Sequence, residues 1–473
     1  MTAGLDRRQF LQRLAAAGLL AVPATGVLAA CATGGGGGAP SGGAAGAVSA
    51  TNPLGVAADA PLDVVIFNGG YGEGYAKAHE AMYTQAFPQA KVNHTATTQI
   101  SQEMQPRFVG GNPPDVLDDS GAQKIEYANL VNEGKLADLS KLLDAPSIDD
   151  PNVKVRDTLL PGTIEQGTFG GKFYGVNYVY ETYAIWYSKP LFAKNGWTPP
   201  TTWDEMMALS EKIKAAGISP FAYGGTNAAD YVIDLNLGAA IKQGGLDVVK
   251  NIDNLKPNAW KQAPIVQATQ GIEEMVKKGY FLPGSEGLKH TEAQTAWVQG
   301  KAAFYVSGSW IENEMKTISP PDFEMTVLPV PVLGPGSAMP ATALRTQPAE
   351  FFVVPKDAKN VNGGMEYLRI MLGKKGAAAF ATETASVPVV KGGTDAVTKK
   401  TPALASLSTA LGAAGTNVFN WQFRTWYAPF SAALKTETGN LLAGRSTADQ
   451  YLSALQAVSD KVAGDSSITK YNR

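Results

Sequence analysis

The chain has 473 residues, 44% of them apolar and 17% charged, with 40 Lys and Arg against 42 Asp and Glu. That composition suits a folded protein of two or more domains and excludes a disordered or fibrous one. The balanced charge, with no basic block, argues against a nucleic-acid partner, because a phosphate backbone needs a concentrated positive surface.

Residues 1–30 read as a signal peptide. Arg7 and Arg8 precede Gln9, Phe10 and Leu11, and an apolar run from Leu14 to Ala30 ends in small residues before Cys31. The run is Ala/Gly-rich and about the minimum length for a hydrocarbon layer of roughly 30 Å, so a leader fits better than a membrane anchor. The arginine pair resembles a twin-arginine export signal, with Asp6 where Ser or Thr is usual, and the route, Sec or Tat, stays open. Leu28-Ala29-Ala30-Cys31 resembles a lipobox, in which the Cys becomes the lipid-bearing N-terminus.

Cys31 is the chain's one cysteine, which removes an intrachain disulfide, a thiolate zinc site and a catalytic thiol from the body. His79, His94 and His290 are too few and too far apart for an HExxH or facial-triad site, and each reads as a surface or partly buried polar residue. Neither a metal nor a cofactor is expected.

Residues 31–61, with five glycines at 34–38, read as a flexible tether that buries no core. Asp63 to Phe67 then reads as a buried strand, followed by a helix striped by Tyr75, Ala78 or His79, Met82 and Ala86 until Pro88. A second strand, Lys91 to Ala96, leads to a helical stretch that Pro106 interrupts or starts, and Pro113 to Leu117 gives a third short strand. This alternation predicts an α/β fold with a largely parallel sheet, whose ligands sit beyond the carboxyl ends of the strands. The segments Asn68 to Gly74 and Asp118 to Gly121 therefore edge a site.

Tyr178 to Tyr187 reads as an aromatic strand. Thr202 with Glu205 forms a capping box that starts a helix whose Trp203, Met206, Met207 and Ile213 face the core until Gly217 stops it. Later come a helix over Thr291 to Gly300, a strand over Ala302 to Val306 with Gly308-Ser309-Trp310 at its end, a strand over Phe351 to Val354 and a helix over Val361 to Leu372. No internal repeat is visible.

Gly70-Tyr71-Gly72-Glu73-Gly74 lacks the GxGxxG spacing, with Tyr75 at the last glycine's place, and no GxxxxGK[ST] or GxSxG occurs. Asp118-Asp119, Asp149-Asp150 and Glu273-Glu274 are adjacent pairs whose members point apart, so glycoside hydrolysis has no motif behind it. What does recur is aromatic residues at element ends beside amides and carboxylates: Tyr71; Asp119; Tyr178, Tyr180 and Glu181; Trp310; and Trp421 with Asn420 and Arg424. Sugars combine apolar C–H faces with a belt of hydroxyls, and such a mixture suits them. Trp186, Trp203 and Trp297, inside elements, read as core.

Gly111-Asn112-Pro113-Pro114-Asp115-Val116, Gly134-Lys135-Leu136-Ala137-Asp138-Leu139, Tyr174-Gly175-Val176 with Trp186-Tyr187-Ser188-Lys189, and Pro199 to Glu205 occur in that order. Gly300-Lys301-Ala302-Ala303-Phe304, Gly308-Ser309-Trp310 and Leu328-Pro329-Val330-Pro331 follow. The set resembles the extracellular solute-binding lipoproteins of carbohydrate ABC transporters, with Asn177 for the usual Pro and Ser188 for the usual Asn. Val65 to Gly72, Asp144 to Leu159 and Asn420 to Tyr427 are more closely similar to actinobacterial N-acetylglucosamine and N,N′-diacetylchitobiose binders.

The resemblance implies a two-lobe, type II periplasmic-binding-protein-like fold, each lobe a mostly parallel sheet flanked by helices, with a hinge between them. It sets lobe one at 62–178 plus 350–387 and lobe two at 179–345 plus 390–473. Gly70, Tyr71, Asp119, Tyr180, Glu181 and Trp310, with Trp421, Asn420 and Arg424 from the C-terminal region, are the implied ligand contacts. Trp310 and Trp421 would stack on sugar, Asp119 and Glu181 would accept from its hydroxyls, and Asn420 and Arg424 would supply further polar contacts. The implied molecule is a non-catalytic monomer anchored through Cys31 to the outer face of the cytoplasmic membrane, handing sugar to a separate permease. Alternatives are another oligosaccharide of the same family's range, or a surface-anchored sugar-processing enzyme.

Overall fold

The computed structural model describes residues 45–473 apart from residue 122; the leader and the Cys31 lipidation site lie outside the described residues. Among the described residues eleven strands are formed: β1 (Leu62–Phe67), β2 (Val92–Thr97), β3 (Val116–Asp118), β4 (Thr168–Phe169), β5 (Lys172–Phe173), β6 (Gly175–Ser188), β7 (Ser219–Ala222), β8 (Ala302–Gly308), β9 (Met325–Leu328), β10 (Leu344–Val353) and β11 (Val418–Phe419). Nine belong to one sheet of order β2-β1-β3-β10-β6-β8-β7, with β11 beside β10 and β9 beside β6.

In β1 the run Val64, Val65 and Ile66 is fully buried, as in a strand covered on both faces. It pairs in parallel with β2 and β3, joined through helices Gly74–Ala86 and Ile100–Val109, the crossover that parallel strands require. Pro106 lies inside the second helix, near its end. The pair β7 and β8 is also parallel. Antiparallel pairing enters with the two long strands: β10 runs against β3 and β6, and β6 against β8 and β9. The sheet is therefore mixed, since β6 and β10 cross its middle in opposite directions.

β6 serves two large cores, and β10 enters the first of them through Phe352. Tyr178 and Val179 pack with Val64, Ile66, Tyr75, Phe352 and Phe380, whereas Ile185 packs with Phe192, Trp203, Trp260, Phe304 and Phe430. Helix Pro402–Ala414 touches both sides of the molecule. Its Leu404 and Leu407 lie in the first core and its Ala403 packs near Trp186 and Trp297, although residues 390–473 were expected in lobe two.

The capping box forms as read: Thr202 accepts from the Glu205 N–H, and Trp203, Met206 and Ile213 are buried ahead of Gly217 at φ +80°, with Leu209 taking the fourth buried place that Met207, only partly buried, was expected to hold. Trp186 and Trp297 are core residues, each at most 1% exposed.

Three expectations need correction. The tether does not extend to residue 61: Leu54 and Val56 are buried, and the Asn52 amide donates to Ala47 and Val56 carbonyls while accepting from the Val56 N–H. One polar side chain thus closes a loop that lets two apolar residues dock. His79 is fully buried, with Nε2 bonded to the Gly376 carbonyl at 2.9 Å, and burial pushes it down to about 4. Finally, β10 begins seven residues before Phe351. Pro348 obscures that start, because proline lacks a ladder donor. It sits opposite Tyr180, whose own N–H bonds the Val387 carbonyl, so β6 loses no bond there.

Among the described residues no helix is long and apolar enough to cross a membrane.

Candidate functional site

Pleating assigns alternate residues of a strand to opposite faces. On β6 this places Asn177, Val179, Glu181 and Tyr183 on one face and Tyr178, Tyr180 and Thr182 on the other. The pairs Asn177–Phe351, Val179–Ala349, Glu181–Gln347 and Tyr183–Arg345 extend the first face across β10. Over that face lies a cleft of about 550 Å³, walled by Ser120, Tyr127 and Phe169 on one side and by Tyr231, Trp310, Trp421 and Arg424 on another.

Arg345 organises the floor. It donates to Asp234 at 2.6 Å, to Gln347 at 2.7 Å and to Asn420 at 3.3 Å. Its guanidinium lies between the Tyr183 ring, 3.6 Å from the centroid, and the Trp421 ring, 3.7 Å away. A planar, weakly hydrated cation is suited to such stacking. Burial raises the Asp234 pKa and the Arg345 charge opposes that rise.

Glu181 lies beneath this layer. Tyr71 donates to one of its oxygens at 3.0 Å and Tyr183 to the other at 2.6 Å. Burial pushes the carboxyl up to about 7, while the two hydroxyls and Arg345 pull it down. Glu181 therefore holds Tyr71 and Tyr183 in place and does not form the cleft wall.

Trp310 stands at the wall, edge-on to Tyr183 at 5.5 Å and to Tyr231 at 5.8 Å. It is partly exposed, leaving ring surface for a ligand. Gly70 runs close behind it, since a Cβ on Gly70 would come within 3.8 Å of the Trp310 Cβ. Arg424 reaches the cleft and is tied to Asp230 at 2.7 Å. Trp421 lines the cleft but is 1% exposed, its ring covered by Arg345, so in this geometry it supports the arginine. Asn420 likewise acts on Arg345 rather than on the cleft.

Two residues fall elsewhere. Tyr180 belongs to the opposite face of β6. There it lines a separate groove with Leu160, Val387 and Val390, its hydroxyl bonded to Thr346; reading the aromatic run without its period of two put it on the wrong side. Asp119 is fully buried, with one oxygen accepting from the Ile125 N–H, so it shapes the loop that carries Ser120 and Gly121. Burial lifts Asp119 to about 7. Its neighbour Asp118 points away to Tyr75 and Ser120 and is likewise raised to about 7 by burial.

Arg345, Tyr183, Gln347, Glu350, Tyr231 and Asp234 were missed. Tyr183 was legible as the residue two beyond Glu181; the β10 residues were hidden behind Pro348. No group of three or more metal-ligating side chains occurs among the described residues. The cleft combines aromatic surfaces with amides, hydroxyls and partnered charges, an arrangement that binds a ligand with apolar faces and many hydroxyls.

The model of the bacterial extracellular solute-binding proteins matches residues 36–378. The chain is 39% identical over 410 residues to the diacetylchitobiose binding protein NgcE of Streptomyces coelicolor, covering 86% of each chain. In fold it is similar to RafE in complex with raffinose, at TM-score 0.66 and 20% identity over 85% of this chain and 99% of that one. It is also similar to a chitin oligosaccharide binding protein, at TM-score 0.64 and 21% identity over 82% of this chain and 94% of that one. The α/β architecture is that of the two-domain, type II periplasmic-binding fold, and the chain belongs to the family of bacterial extracellular solute-binding proteins.

Proposed function

We propose that this protein is the sugar-capturing component of an ABC importer, binding N-acetylglucosamine or a chito-oligosaccharide, diacetylchitobiose above all, and presenting it to a membrane permease. The observation that carries the reading is the cleft floored by Asn177, Tyr183, Arg345 and Gln347 and walled by Trp310, Tyr231 and Tyr127. Likeness to NgcE along most of both chains selects chito-oligosaccharide among sugars. Membership of a solute-binding family sets the chain among proteins that bind and release, not among enzymes.

In this reading residues 62–178 with 350–387 and residues 179–345 with 390–473 act as two lobes that close on sugar about β6 and β10. Ligand contacts to both lobes favour the closed form by the difference in affinity between the two states. The permease and its ATPase are separate subunits, and the protein acts as a monomer held by lipid on Cys31 at the outer face of the cytoplasmic membrane. Gly70, Tyr71, Trp310, Trp421 and Arg424 remain its proposed contacts or supports.

Titration calorimetry of the mature protein with diacetylchitobiose, N-acetylglucosamine, raffinose and xylobiose tests the proposal, with chromatography of the recovered sugar. Tightest binding of an N-acetylated sugar, recovered intact, is expected. Preference for raffinose or xylobiose would move the protein to another ligand, and cleavage would overturn the transport role.

A further inference from the structure

Asn177 is 3% exposed and lines the cleft where lobe one meets its floor, yet its Nδ2 has no hydrogen-bond partner among the described residues. A buried amide donor left unmade is costly, so its retention calls for an acceptor supplied by whatever enters the cleft. The surroundings narrow the acceptor's chemistry. Tyr127 and Phe169 line the same end of the cleft with Ser120 and Glu350, and both rings pack on Phe351, at 4.1 and 6.4 Å between centroids. Phe351 is the residue directly across from Asn177 in the β6–β10 ladder, so the amide and the rings are fixed by adjacent strands.

The matching ligand group carries a carbonyl oxygen to accept, an N–H to donate and a methyl to rest on aromatic surface. We propose that the Asn177 end of the cleft is an acetamido subsite, in which Asn177 Nδ2 donates to the acetyl carbonyl while Tyr127 and Phe169 face the methyl. Glu350 takes the acetamido N–H, since a carboxyl keeps an accepting oxygen whether or not it is protonated. Glu350 has a positive φ of 57°, and backbone strain of this kind is commonly held at ligand-clamping positions.

This deepens the chito-oligosaccharide reading and rests on it. The subsite gives discrimination rather than bulk affinity, because a site built to hydrogen-bond a group rejects the analogue lacking it. The test is calorimetry on the wild type, Asn177→Ala and Asn177→Leu, each titrated with diacetylchitobiose and with the de-acetylated glucosamine disaccharide. The leucine fills the amide's space without a donor, so it remains informative if the alanine variant folds poorly, and thermal unfolding is recorded for all three.

Both variants are expected to lose roughly tenfold or more for diacetylchitobiose, the effect of leaving a buried acceptor unpaired, and to bind the de-acetylated sugar as the wild type does. Preference for the acetylated sugar then shrinks by the same factor. An unchanged preference in a folded variant overturns the subsite while leaving the chito-oligosaccharide reading standing. A wild type that binds no N-acetylated sugar overturns both.

Discussion

Arg345 and Asp234 form an ion pair at 2.6 Å with each side chain 6% exposed, and the pair joins the middle of the sheet to helix Ile233–Gly244. A buried pair is held together by what its loss would leave behind. Removing the arginine strands a carboxylate that burial already disfavours.

Arg345→Met is therefore expected to destabilise the fold by about 3–5 kcal/mol, the scale for an uncompensated buried charge. Adding Asp234→Leu should recover a large part of that loss. Urea unfolding of the single and double variants measures it, and a double variant no more stable than the single one would contradict the account.

Trp310→Ala and Trp421→Ala are expected to differ in kind. Trp310 is partly exposed at the wall, so its loss should weaken sugar binding by roughly 1–3 kcal/mol with a small change in melting temperature. Trp421 is 1% exposed and belongs to the second core, so its truncation should cost about 3–5 kcal/mol of stability. Paired calorimetry and thermal unfolding distinguish the two; equal effects on stability would put both rings in the core.

The Glu181 carboxyl, raised from 4.5 to about 7 by burial, keeps in the folded state a proton that the unfolded chain releases near its ordinary value. Its contribution to stability is present at low pH and declines as pH rises through that window. Glu181→Gln removes this titration, so the variant should gain stability relative to wild type between about pH 5 and 7.5. His79 acts with the opposite sign. Lowered from 6.5 to about 4, it withdraws stability as pH falls through that range. Chemical denaturation at several pH values reads both slopes.

Cys31→Ser is expected to release the protein from membranes, because lipidation forms a thioether that a hydroxyl cannot supply. Fractionation of cells expressing each form decides it: the serine form in the soluble exported fraction supports the anchor, and unchanged membrane partition would require another attachment.

Local chemistry made much of the fold legible. The buried strand at Val64 to Ile66, the capping box at Thr202 and Glu205, and the helix beginning at Val361 each depend on residues a few positions apart. What escaped depends on partners far along the chain. Asn52 looks like tether polarity until its loop is seen closed over Leu54, and Pro348 looks like a strand breaker until its opposite residue is seen to need nothing from it. Trp310 was found because Gly308 and Ser309 mark the end of β8. Arg345 could not be weighed without knowing that Tyr183, Trp421 and Asp234 converge on it.

The two faces of β6 differ at the positions that matter for the cleft: Asn177 and Tyr183 meet it, while Val179 between them is buried in the core, and on the other face Tyr178 and Tyr180 meet the packed side. Substitutions can retune one face without touching the other. Deleting or inserting one residue between Asn177 and Tyr183 would exchange the faces beyond that point, sending cleft residues into the core and core tyrosines into the cleft. Ligand preference along this strand can thus diversify by replacement at alternate positions, whereas a change in its length would cost the fold itself.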